Sequence, residues 1–148
     1  MTAPVAQSMS KQDIIEYLRK VHISPTTQRV EMAHLLLSKP QHISAEEVYN
    51  LVNEEYSKAS RATVYNNLHL FERAGLIKSL NISPVLTVYD TNTTPHFHFV
   101  DTETGRIRDI ECDTDTMNKI LETALQCEDL EQSKAQVTGL QLIFYGKE

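Results

Sequence analysis

Apolar positions recur at helical spacing through the first half of the chain. Lys11 to Val21 places Ile14, Ile15, Leu18 and Val21 on one stripe, which predicts a helix. Ser24-Pro25 predicts the start of a second, with a capping serine and proline at the first helical position; Val30, Ala33, Leu36 and Leu37 carry its apolar face and Lys39-Pro40 end it. Gln41-His42-Ile43 reads as a loop. Ser44 with Glu47 three residues on forms a capping box and opens a third helix toward Glu55. Ser60 caps a fourth, Arg61 to Ala74, closed by Gly75. Leu76 to Leu80 and Val85 to Tyr89 then alternate as two strands joined by Asn81 to Pro84.

The second half changes period. In His96-Phe97-His98-Phe99-Val100 a strand puts both imidazoles on one face and turns Phe97 and Phe99 the other way, toward a core. Thr104-Gly105 predicts a turn into a second strand, Arg106 to Ile110, so that a hairpin returns Asp109 beside the imidazoles. Asp113 to Cys127 predicts a helix with Met117, Ile120, Leu121, Ala124 and Leu125 as its stripe, followed by a long final strand, Gln136 to Tyr145. The order implies an α+β chain: an N-terminal winged helix-turn-helix domain (residues 1–85), a hinge (86–94) and a small β-β-α-β domain (95–148). Three strands and one helix cannot cover both sheet faces and both edges, so the second domain predicts a homodimer.

In a winged helix-turn-helix the fourth helix would enter the major groove, read mainly by residues near its N-terminus. Arg61, Thr63, Tyr65, Asn66 and Asn67 are the candidates there, with Val64, Leu68, Phe71 and Leu76 holding the back of the helix to the core. The formal net charge of −6 argues against a polyanionic partner until its distribution is considered. Residues 1–89 hold nine Lys or Arg and eight Asp or Glu, whereas residues 90–148 hold five and twelve. The acidity lies in the second half, and the first is free to approach double-stranded DNA. A dimer would match a pseudo-palindromic operator.

Asp90, His96, His98 and Asp109 fall within one short run, the makings of a metal site that wants one or two more ligands. An H-x-H pair alone reads most simply as two hydrogen-bonded histidines; the two flanking carboxylates shift the balance toward a metal. Cys112 and Cys127 are fifteen residues apart and form no C-x-x-C, so they indicate neither a disulfide framework nor a thiolate zinc site. Each reads as a small, partly buried hydrophobe. The first ten residues, MTAPVAQSMS, resemble no signal peptide, and the whole fits a reducing cytoplasm with no membrane segment.

Arg61-Ala62-Thr63-Val64-Tyr65-Asn66-Asn67-Leu68, the run Pro40 to Glu47, and Tyr89-Asp90 through His96-Phe97-His98 to Asp109 together resemble the ferric uptake regulator superfamily, most closely its peroxide-sensing PerR-like branch. The resemblance spans roughly residues 10 to 145. It implies a DNA-binding repressor, not an enzyme, with one regulatory Fe(II) or Mn(II) per subunit held by His42, Asp90, His96, His98 and Asp109; Zn(II) would also bind in vitro. It supplies His42, which the residues alone leave as a loop histidine. It also implies that peroxide acts by iron-catalysed oxidation of His42 and His96 to 2-oxo-histidine. Iron sensors of the superfamily usually carry glutamate where this chain has Asp109 and arginine where it has Asn66. Their second metal site looks absent here: Phe97 is central in the H-x-H and no histidine follows His98.

Most members hold a structural zinc with two C-x-x-C pairs. Asp101 and Thr104 stand at the positions of the first pair, and the second is missing, so no structural zinc held by four cysteines is expected. A reversible iron, manganese or zinc uptake regulator is the nearest alternative. A non-haem iron enzyme built on His96, His98 and Asp109 is more remote, because it needs an organic substrate and a pocket that the short hairpin does not offer.

Overall fold

Ser10 and Ser44 each close a reciprocal capping box, and each starts a helix. In the computed structural model, which describes residues 9–133, 136–137 and 139–148, Ser10 begins α1 (Lys11–Lys20) and Ser44 begins α3 (Ala45–Glu55). Between them α2 runs over Thr27–Leu37, two residues later than the Ser24-Pro25 signal suggests. The cap is Thr26, whose hydroxyl accepts the Arg29 N–H at 3.4 Å. Pro25 therefore shapes the approach to the helix and does not occupy its first turn. Ser60 caps α4 (Arg61–Arg73), and Gly75 leaves it at φ +76°, a left-handed conformation that glycine adopts without strain.

The chain falls into two compact units that divide between Thr94 and Pro95. In the first, α1 to α4 bury one shared core. Ile14, Leu18, Met32, Leu36, Val48, Val52, Val64, Leu68 and Phe71 are all fully enclosed. Val64, Leu68, Phe71 and Leu76 thus hold the back of α4 as expected, leaving its other face to solvent.

The wing of this unit has three strands, not two. β2 (Lys78–Ser83) and β3 (Leu86–Asp90) form the expected hairpin, with an irregularity in register between Asn81 and Ser83. The stretch expected as loop contains β1 (His42–Ile43), which pairs antiparallel with β3 and gives the order β1-β3-β2. Two side chains fix it there. Gln41 donates to the terminal carbonyls of α2 at Leu35 and Leu36 (3.0 and 3.1 Å), and Thr91 Oγ1 accepts the Gln41 N–H at 3.0 Å.

In the second unit β4 (Phe97–Asp101) is the central strand, antiparallel to β5 (Ile107–Ile110) and parallel to β6 (Ile143–Gly146). Asp113 caps α5 (Thr114–Leu125), and a short α6 (Glu128–Ser133) follows that the periodicity does not indicate. Of the expected strand Gln136–Tyr145, residue 138 lies outside the described residues, and the other described positions before Ile143 are not in strand. Ile143 to Gly146 pair in register with β4, and the Leu142 carbonyl accepts the His98 N–H just before them. Helix α5 buries none of its residues in this chain, and Leu125, Phe144 and Tyr145 are exposed. No helix among the described residues is long and apolar enough to cross a membrane.

Candidate metal centre

Strand register places the candidate ligands. In the first unit His42 lies directly opposite Asp90 across β1 and β3. His42 Nε2 stands 4.0 Å from Asp90 Oδ1, with the two side chains 14% and 3% exposed. Asp90 Oδ1 also accepts the Asn92 N–H at 2.8 Å, a local turn that orients the carboxylate.

In the second unit His98 lies opposite Asp109 across β4 and β5, so the hairpin returns the carboxylate as expected. His96, one residue before the strand, shares the face of His98. Their Nε2 atoms are 2.9 Å apart, and Asp109 Oδ1 stands 3.3 Å from His96 Nε2 and 3.8 Å from His98 Nε2. Both imidazoles are nearly enclosed. Phe97 does face a core, edge-on to Phe144, but Phe99 is only half-buried, lying under the Arg108 guanidinium.

These donors suit a divalent metal. Two ligands about 2.1 Å from one ion are about 3.0 Å apart at a right angle and about 4.2 Å apart when opposed, and every separation above falls at or within those limits. His96, His98 and Asp109 form a His/Asp cluster able to coordinate such an ion. Imidazole and carboxylate without thiolate make a borderline-to-hard set, open to Fe(II), Mn(II) or Zn(II).

Among the described residues no cysteine pair offers a zinc site: Cys112 and Cys127 are both free thiols. Where the resemblance places the first cysteine pair, a hydrogen-bonded turn closes the β4–β5 hairpin instead. Asp101 accepts from the Thr104 hydroxyl at 2.6 Å and the Glu103 N–H at 3.0 Å. These bonds hold its carboxyl below the usual carboxylate range. The end of the chain is tied to the same turn: Thr102 donates its N–H and hydroxyl to the Gly146 carbonyl, and Lys147 pairs with Glu103.

The residues expected at DNA separate into two groups. Arg61, Tyr65 and Asn66 are exposed on α4, and Thr63 is half-buried with its hydroxyl 2.9 Å from that of Ser60. Asn67 departs from the expectation. It is buried at 7%, its carbonyl oxygen accepts from Arg29 Nε at 3.2 Å, and its amide approaches Met32 Sδ, so it joins α4 to α2. Glu46 and Tyr49 engage Arg61 from α3 with no signal in the sequence, since no periodicity links residues fifteen and twelve positions apart on different helices.

The sequence profile of the ferric uptake regulator family matches residues 10–140. The chain is 32% identical over 100 residues to the peroxide-responsive repressor PerR of Staphylococcus aureus (strain Mu50 / ATCC 700699), covering 68% of each. It is similar to the ferric uptake regulator from Pseudomonas aeruginosa with manganese at 27% identity and TM-score 0.69, over 95% of this chain and 98% of that one. It is also similar to the Campylobacter jejuni peroxide stress regulator, at 25% identity and TM-score 0.65 over 93% and 94%. Profile, relative and fold agree with the order of capped helices, wing and histidine-bearing hairpin: the chain belongs to the ferric uptake regulator family.

Proposed function

We propose that this protein is a metal-dependent, homodimeric DNA-binding repressor that senses hydrogen peroxide, with one divalent ion held jointly by His42, Asp90, His96, His98 and Asp109. The observation that supports the reading is that strand register sets His42 opposite Asp90 and His98 opposite Asp109, with His96 beside His98, as two incomplete candidate sets. Neither set alone fills the coordination of a first-row ion, and together they supply three imidazoles and two carboxylates. Residues 91–94 then act as the hinge that the ion spans, since positions 86–90 of the expected hinge form β3, the central strand of the wing.

A ligand present at ~100 times its dissociation constant stabilises the state that binds it by ~2.7 kcal/mol, about a hundredfold in population. That is enough to set two recognition helices at half-site spacing on DNA or to release them. Arg61, Thr63, Tyr65 and Asn66 are proposed to make the contacts. The half-covered stripe of α5 and the exposed Phe144 and Tyr145 are proposed to meet a second copy.

When bound, Fe(II) would supply the one-electron chemistry that activates hydrogen peroxide beside the imidazoles, the ring itself being the group oxidised. In the net reaction one oxygen atom passes to the imidazole C2 position of His42 or His96 and water leaves. In His96 that carbon is bonded to Nε2, the nitrogen facing Asp109, so it lies on the ligand side of the ring. A ring altered there no longer holds its place in the set, and the repressor opens. The same donors would hold Mn(II) without ready oxidation, which keeps a reversible metal-responsive regulator as the second reading.

The test is duplex binding by wild type and His42→Ala, each with and without Mn(II), on DNA selected by the Mn(II)-loaded wild type from a random-sequence library. Metal-dependent binding by wild type that is lost in the variant supports the joint site. Equal affinity of the two proteins in Mn(II) contradicts it.

A further inference from the structure

Arg61 is the first residue of α4, at the end of the helix that a major groove would admit, yet its guanidinium is already engaged. Nη2 donates to Glu46 Oε1 at 2.6 Å and Nε to Glu46 Oε2 at 3.2 Å, a two-pronged pairing that matches guanidinium to carboxylate. The guanidinium carbon stands 4.3 Å from the centre of the Tyr49 ring. Glu46 and Tyr49 both belong to α3, so one helix holds the leading cation of the next from two sides.

The clamp contributes little to the fold. The side chains of Arg61 and Glu46 are 60% and 50% exposed, and ion pairs in such settings add little stability. The pairing nevertheless lowers the Glu46 carboxyl and raises the Arg61 guanidinium from their ordinary values, each chiefly through their shared hydrogen bonds. Arg61 is a cation with one of its two hydrogen-bonding edges, Nε and Nη2, occupied by an acid where a phosphate would otherwise sit.

Resting on the DNA-binding reading, we propose that Glu46 is a selectivity residue: it competes with DNA phosphate for Arg61 and so suppresses binding to arbitrary sequence. A phosphate that takes the Nε/Nη2 edge must displace a carboxylate of matching geometry, and one that takes the other edge meets a cation already neutralised by Glu46. On non-specific DNA, where binding is almost wholly electrostatic, that exchange removes most of the gain from one cation. On the selected site, base contacts from Tyr65 and Asn66 remain, so the loss is proportionally smaller. Glu46 itself faces the same polyanion, and its charge adds to the discrimination.

The experiment compares wild type, Glu46→Gln, Arg61→Gln and the double variant, all Mn(II)-loaded, on a random-sequence duplex pool and on the duplex selected by wild type, across a salt series. Glu46→Gln keeps the shape of the side chain and removes its charge. The expected result is tighter binding of Glu46→Gln to the random pool by about threefold to tenfold, with the salt slope steeper by ~0.9 for each phosphate gained. The ratio of selected to random affinity falls, and the double variant returns random-pool binding to the level of Arg61→Gln. Unchanged random-pool binding in Glu46→Gln overturns the proposal, as does weaker binding to the selected duplex alone, which would make Glu46 a base-reading residue. Retention of the gain in the double variant also overturns it, because Arg61 would then not be the group released. A wild type that retains no duplex from the library overturns the DNA-binding reading and this inference with it; a binding wild type with an unaltered Glu46→Gln overturns this inference alone.

Discussion

His42 and Asp90 stand opposite each other in the β1–β3 pair, His42 Nε2 4.0 Å from Asp90 Oδ1, because two residues between helices form a strand on the edge of the wing. Their relationship is held by backbone hydrogen bonding, which substitution of the imidazole leaves in place. His42→Ala should therefore fold normally and lose metal. Altering even an outer partner of a ligand weakens metal binding by about 10- to 100-fold, so loss of the ligand itself should cost at least ~100-fold in Mn(II) affinity. Titration calorimetry with Mn(II), beside an unchanged circular dichroism spectrum, checks it; undiminished affinity would remove His42 from the site.

That pairing has no local signal in the sequence. Two residues carry no alternation to count, so His42-Ile43 read as loop, and its strand character comes from Gln41 and Thr91, fifty positions apart. The capped helices and the H-x-H hairpin were legible because their signals are local: a serine with an acid three residues on, or an alternation closed by Thr104-Gly105. The final strand was overextended for the same reason in reverse. Residues 136–145 are rich in apolar side chains, but the register with β4 runs only from Ile143 to Gly146, with the Leu142 carbonyl accepting the His98 N–H just before it. The helical period places Asn67 near the boundary between the two faces, and Arg29 on another helix decides its side.

Chelation should abolish DNA binding without unfolding the second unit, because the Asp101 turn, not thiolate zinc, closes its hairpin. The turn carries its own pH signature. The Asp101 carboxyl is held below 3.8 by the Thr104 hydroxyl and the Glu103 N–H, so its contribution is complete above the unfolded value and is lost as pH falls through the lower folded value. Wild type should exceed Asp101→Asn in melting temperature at neutral pH, and the difference should shrink once the pH is taken below 3.8. A pH-independent difference would assign the effect to shape alone.

Phe71 is fully buried where α4 meets the core of the first unit. Phe71→Ala should cost about 3–5 kcal/mol, the usual penalty for emptying such a site. Denaturant unfolding measures the loss, and operator binding should weaken with it as the recognition helix loses its seat. A loss below about 1 kcal/mol would mean that the core closes over the gap.

The apolar residues that α5 and β6 leave uncovered predict a second copy against them. Phe144 is 47% exposed in the single chain and meets Phe97 only at its edge, so Phe144→Asp should keep the isolated fold at a modest cost in stability, checked by circular dichroism. It should shift the protein from dimer to monomer in analytical ultracentrifugation. A dimer that survives at low micromolar concentration would place the interface elsewhere.

The most direct measurement is binding of the Fe(II)-loaded and Mn(II)-loaded protein to its selected duplex before and after a brief peroxide pulse, with mass spectrometry of the peptides that carry His42 and His96. Loss of binding is expected in the iron form alone, together with one added oxygen atom on either histidine. Binding that survives the pulse in iron with both histidines unmodified would contradict peroxide sensing and leave a reversible metal-responsive regulator.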